Sequence, residues 1–160
     1  MNEISVKIGE IKIASADQNI KAILGSCVGI ALIWKNKNMK ALAHCLLPHA
    51  PKDCQDNQYS HGKYVSSAVP KMLEMLNIPT NKLSELEVHL AGGANMLGQI
   101  SKINRDHIGQ QNAEAAIYFL KLYGLKIEST HLGGLQGRQI YIQDNGLVKI
   151  TTFAELLEQK

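Results

Sequence analysis

Apolar and polar residues alternate at the start of the chain, with Ile4, Val6 and Ile8 followed by Ile11 and Ile13, the period-two pattern of half-buried strands. Residues 19–24 and 28–34 predict two further strands, and residues 40–47 a returning strand after the polar "KNKN", which reads as a hairpin connection. From Pro48 to Ser60 the composition turns to "PHAPKDCQDNQYS", a surface loop long enough to border an active site. Val65, Ala68, Val69, Met72, Leu73 and Leu76 then fall at helical spacing and predict a helix over 62–76, with a kink or a restart expected at Pro70.

"EVHLAGG" reads as a strand ending in a glycine loop. A second helix is predicted over 108–123, with Ala113, Ile117, Phe119 and Leu120 as its apolar stripe and Gly124 at a left-handed C-terminal cap. Three strands follow, over 126–131, 138–143 and 147–152, the last two forming a hairpin around "DNG". Strands before and after helices, with hairpins at both ends, predict a mixed α/β sandwich in which two long helices pack on β-sheets. A doubly wound parallel sheet does not fit this order.

Composition narrows the picture. A chain of 160 residues without a linker or an internal repeat is expected to form one domain over 1–160. It is long enough to bury about 70% of its unfolded surface without a metal or crosslinks. The net charge of +3 is spread out, so neither a nucleic-acid stripe nor a polybasic membrane anchor is present. No signal-peptide pattern opens the chain, and no apolar run approaches the 18 or so residues of a membrane span. A cytoplasmic location is expected. Three cysteines without a CxxC pair fit a reducing compartment, and six scattered histidines give no zinc pattern, so neither metal nor cofactor is expected.

The chemistry-bearing stretch is "KAILGSCVGIALIWKNKNMKALAHCLLPHA". Cys27 follows Gly25 and Ser26, a pair that lets the backbone turn sharply and leaves N–H groups free for an oxyanion. His44 stands on the neighbouring hairpin strand, where an imidazole can take a thiol proton and return it to a leaving amine. A cysteine between apolar runs is more often simply core, and spacing alone does not separate the two. Alternation does distinguish the cysteines: Cys45 must point away from the face that carries His44 and reads as core, while Cys54 reads as an incidental loop thiol.

The segments "LGSCVGIAL", "AHCLLP", "GKYVSSAVPKMLEML", "LAGGANML", "IGQQNAEAAIYFLKLYGLKI" and "HLGGLQGRQIYI", in this order, resemble the CheD family of chemoreceptor glutamine deamidases. The resemblance runs from about residue 8 to residue 150, and linked motifs in one order are more specific than any one alone. It implies an α/β sandwich similar to a deamidating toxin catalytic domain, with Cys27 as nucleophile and His44 as its histidine. It also implies the cytoplasmic helices of chemoreceptors as substrate and a CheC-type phosphatase as partner. Without an obvious exposed apolar seam in the sequence, a monomer is the default state. Where the family commonly places a threonine that orients the histidine, this chain has Lys21, which has no acceptor to offer an imidazole N–H. A backbone carbonyl or another side chain must then orient His44, or the chain is a weakened enzyme or a docking module. An alternative role for Lys21 is to favour the thiolate by its charge. A cysteine protease or acyltransferase is a more distant rival, and methyl-ester hydrolysis is a further reaction open to the same site.

Other motifs have plainer readings. "LAGGAN" lacks the pattern of a nucleotide loop, and Gly92 and Gly93 are expected to permit close backbone approach. Asn95, Gln110, Gln111 and Asn112 could touch the glutamine amide, but surface polarity or helix-start contacts explain them as well. The glycines of "GGLQGRQIYI" read as turn geometry, and Arg138 as a possible partner of acidic receptor surface.

Overall fold

The computed structural model describes residues 2–52, 61–96 and 107–159. Cys54 and most of the polar loop after Pro48 lie outside the described residues. Two sheets stack face to face. One has four strands in the order β1 (Asn2–Ser5), β3 (Gln18–Leu24), β8 (Arg138–Ile142) and β9 (Val148–Thr152). The other has five, in the order β2 (Ile11–Ala14), β5 (Met39–Cys45), β4 (Val28–Trp34), β6 (Leu86–Gly92) and β7 (Ile127–Leu132). β1 runs parallel to β3 and β7 parallel to β6, and the other neighbours are antiparallel.

The sequence VGIALIW of β4 is apolar along its whole length because both of its faces are covered. Val28, Ile30, Leu32 and Trp34 face two helices, α1 (Val65–Leu76) and α2 (Ile108–Leu122), in one core. Ala31 and Ile33 face the four-stranded sheet in a second core, with Leu42 of β5 and Ile20, Ala22 and Leu24 of β3. β5 alternates in step: Ala41, Ala43 and Cys45 join the helix-side core, so Lys40, Leu42 and His44 turn to the space between the sheets. The sequence therefore assigns Cys45 to its face correctly.

The hairpin connection after β4 is a turn of 3₁₀ helix, Lys35–Lys37, closed by Asn38 in the left-handed region. α1 is one continuous helix, so the restart expected at Pro70 does not occur. The carbonyl that Pro70 leaves without a donor belongs to Ser66, and both residues are only half-buried, on a face open to water. α2 ends as its sequence predicts, with Gly124 at φ +80° donating to Lys121 O and Leu125 donating to Leu120 O. Its buried stripe is shifted, however. Gly109, Asn112, Ala115, Ala116 and Leu120 face inward, while Ala113, Ile117 and Phe119 are only partly covered. The fifteenth element, α3 (Phe153–Glu158), has no counterpart in the sequence reading; Thr152 caps it by accepting from the Glu155 N–H.

The inward position of Gly109 is dictated by contact. A Cβ there would sit 2.4 Å from Ala94 O and 2.6 Å from Gly93 O, so the start of α2 lies directly on the loop after β6. Alanine is ordinarily worth about 1 kcal/mol over glycine inside a helix. Here the collision with backbone outweighs that gain, and Gly109→Ala is expected to lose about 2 kcal/mol in a urea titration. A stabilised Gly109→Ala protein contradicts this packing.

Candidate active site

The turn between β3 and β4 carries Gly25, Ser26 and Cys27, and β5 carries His44. In the β4–β5 ladder Gly29 lies opposite His44 and Val28 opposite Cys45. Cys27, one residue beyond Val28, belongs to the core between the sheets, the side to which His44 also turns. Both residues are thus assigned to the same side of the five-stranded sheet, at the end of the β4–β5 ladder. Each is 4% exposed.

His44 is fixed from three directions. Its backbone N–H donates to Glu10 O at 3.0 Å, and its carbonyl accepts from the Gly9 N–H at 2.8 Å. Its ring Nδ1 lies 3.0 Å from Val6 O. A carbonyl has no proton to give, so Nδ1 carries the hydrogen and Nε2 of the neutral ring keeps its lone pair. Val6 is itself held, donating its N–H to Lys21 O at 2.8 Å. The acceptor for the ring N–H is therefore main chain.

Burial acts on both groups in the direction of neutrality. It lowers the His44 pKa from its ordinary value, against an opposing pull from the Val6 hydrogen bond and the Glu10 charge. It raises the Cys27 thiol, with the residue's own backbone N–H working the other way by favouring the thiolate. Cys45 is pushed much further up by complete burial and is inert as a thiol. Both shifts favour the uncharged form, a neutral thiol at Cys27 and a neutral imidazole at His44.

Lys21 is engaged elsewhere. Ile20, Ala22 and Leu24 of β3 are buried between the sheets, whereas Lys21 and Ile23 project from the opposite face. The Lys21 ammonium lies 2.7 Å from Glu3, which also accepts from the Tyr141 hydroxyl at 3.0 Å. Lys21, Ser5 and Lys7 line the polar part of a cleft of about 500 Å³ whose apolar wall is Val6, Ile8, Ala22 and Ile23, and which reaches the His44 ring. Ile8 and Ile23 are more than half exposed beside it.

The glycine motifs converge on the Cys27 turn. Gly93 N–H donates to Cys27 O and Ala94 N–H to Gly25 O, at 2.8 and 3.0 Å. Asn95 N–H donates to Gly134 O at 2.9 Å, joining the "GGLQG" loop to the same stack. A Cβ on Gly92, at φ +108°, would fall 2.2 Å from Cys27 O, so the expected close approach is real and its partner is the cysteine's own carbonyl. Arg138 is buried, donating to the carbonyls of His131, Gly133 and Gln136, so it braces this loop and does not face outward as the sequence suggested. Asn112 is fully buried, and its Nδ2 donates to Ser26 O at 3.0 Å and to Leu46 O at 2.9 Å. The sequence reading left Asn112 among polar surface candidates; its spacing from Gly109, Ala116 and Leu120 is the signal that would have turned it inward. Among the described residues no group of three or more His, Cys, Asp or Glu side chains could hold a metal ion.

Comparison with known proteins identifies the family. Residues 46–152 match the sequence model of the family described as CheD chemotactic sensory transduction. A probable chemoreceptor glutamine deamidase CheD of Bdellovibrio bacteriovorus is 38% identical over 144 residues, covering 90% of each chain. A probable chemoreceptor glutamine deamidase CheD of Methanococcus maripaludis is 36% identical over 154 residues, 96% of this chain and 97% of the relative. One of Archaeoglobus fulgidus is 34% identical over 158 residues, 97% of this chain and 98% of the relative. With a profile match across most of its length and relatives matched almost end to end, the chain belongs to the CheD family.

Proposed function

We propose that this protein is a chemoreceptor glutamine deamidase with Cys27 as nucleophile and His44 as general base and acid. The observation that supports this assignment of roles is the His44 ring, whose Nδ1–H is committed to Val6 O so that Nε2 keeps its lone pair, on a residue that turns to the same side of the five-stranded sheet as Cys27. Because the thiol is hard to ionise at rest, its proton passes to Nε2 as the sulfur attacks the amide carbon. The C–N bond then breaks, and His44 protonates the departing nitrogen to give ammonia and a thioester. Water attacks the thioester with its proton going to Nε2; glutamate is released, and the sulfur recovers its proton from the ring. Gly25 and Ser26 shape the turn so that the Cys27 N–H faces the oxyanion.

The cleft beside His44 fits the substrate class. Its apolar wall can take the methylenes of a glutamine side chain, while Ile8 and Ile23 offer apolar contact to a helix that presents it. Each turnover turns a neutral amide into a carboxylate on the receptor surface, an electrostatic change suited to signalling. A cytoplasmic monomer that also meets a CheC-type phosphatase is the setting in which this reading places the chain. The docking-only alternative rested on Lys21, and the Val6 carbonyl supplies the acceptor that the lysine lacks.

Incubation with receptor cytoplasmic fragments is expected to release ammonia and leave the mass increment of amide-to-acid conversion at discrete glutamines, without chain cleavage. Cys27→Ala abolishes this activity, and His44→Gln lowers it by about 10²- to 10⁴-fold. Full activity of either variant, or cleavage of the fragment, overturns the assignment. Since burial lowers the His44 pKa, the base stays deprotonated to more acid pH than a solvent-exposed histidine. The acid limb of kcat/KM should therefore fall below pH 6.5, the ordinary histidine value, and remain there in Lys21→Met. A limb above that value, or one displaced by Lys21→Met, contradicts the site as described.

A further inference from the structure

Where the β4–β5 ladder ends, two carbonyls are left facing the helix layer. Ser26 O precedes the cysteine, and Leu46 O lies two residues beyond the histidine. Both accept from the single side-chain amide of Asn112, at 3.0 and 2.9 Å. Since both partners are acceptors only, the nitrogen of the amide must be the end that faces them. Both of its hydrogens are then used, and Oδ1 is buried with no partner among the described residues. A side chain chosen only to fill the inner face of α2, as Ala116 and Leu120 do, would not bury an unmatched acceptor.

The link to chemistry is the peptide plane. The Ser26–Cys27 peptide is trans and planar, so its C=O and N–H point in opposite directions. Holding Ser26 O toward α2 therefore aims the Cys27 N–H away from the helix. The same amide ties that turn to the end of the strand that bears His44.

We infer that Asn112 is a positioning residue of the deamidation site, fixing the Ser26–Cys27 peptide so that the Cys27 N–H is preset as the oxyanion donor. The inference rests on the deamidase reading and deepens it. Asn112 touches neither thiol nor imidazole; it acts through the backbone between them.

Two reactions at Cys27 separate this role from a general effect on folding. Alkylation by iodoacetamide displaces iodide at a saturated carbon and forms no oxyanion, whereas acylation by p-nitrophenyl acetate passes through one. In Asn112→Ala the acylation rate constant is expected to fall at least about tenfold relative to alkylation, with kcat on receptor fragments falling while KM holds. If Asn112→Ala does not fold, the ratio is read on Asn112→Ser, which retains one donor and should show a smaller loss of the same kind. An unchanged ratio, whether both rates fall together or neither falls, overturns the inference. Failure of the underlying reading looks different: wild-type protein would then be acylated no faster than Cys27→Ala, and the comparison of Asn112 variants would show no Cys27-dependent signal to lose.

Discussion

A catalytic imidazole is useful only if one nitrogen is bare and aimed at the proton it must take, and in this protein that condition depends on a single hydrogen bond from His44 Nδ1 to Val6 O. Val6 follows the edge strand β1 and donates its own N–H to Lys21 O, so the acceptor is anchored to the four-stranded sheet while the histidine belongs to the five-stranded one. The bond thus joins the two sheets at the point where the proposed chemistry occurs. It also means that a lysine at position 21, with no acceptor of its own to offer, need not cost the histidine its orientation. Main chain has taken over the acceptor role, and the lysine is free to pair with Glu3 at the rim of the cleft.

The second constraint is steric. The Cys27 turn, the loop after β6 and the start of α2 lie against one another with backbone in contact with backbone, which is possible only because Gly92 and Gly109 bring no side chain to the contact. Such a stack leaves little freedom to the peptide that precedes the cysteine. Burial acts in the same place, favouring the uncharged thiol and the uncharged imidazole, and in the proposed mechanism charge separates only as substrate is attacked.

What the sequence makes legible follows from periodicity and local chemistry. The uninterrupted VGIALIW run, the opposite faces of His44 and Cys45, and the glycine cap of α2 are each written in a few adjacent residues and appear as expected. What it hides is long-range or carried by backbone. β1 and β2 read as one alternating stretch, yet they enter different sheets, because pairing with β3 and with β5 is decided by partners far along the chain. The orienting partner of His44 is a carbonyl, and every residue has one, so no side-chain pattern could point to Val6. Asn112 is hidden for a different reason: a polar residue counts against a buried stripe until its two carbonyl partners are known. At Pro70 the local rule allowed a kink or a restart, and the restart does not occur, because the helix is held along its buried face on both sides of the proline.

The most direct measurement is the tautomer of His44, read from the ¹⁵N shifts and two-bond couplings of its ring in the neutral state, with His44→Gln to assign the signals. The account predicts hydrogen on Nδ1 and a bare, pyridine-like Nε2, persisting in the Lys21→Met protein. A neutral ring protonated on Nε2, or one exchanging freely between the two forms, would contradict it, since the nitrogen assigned to the thiol proton would then have no lone pair held in place to receive it.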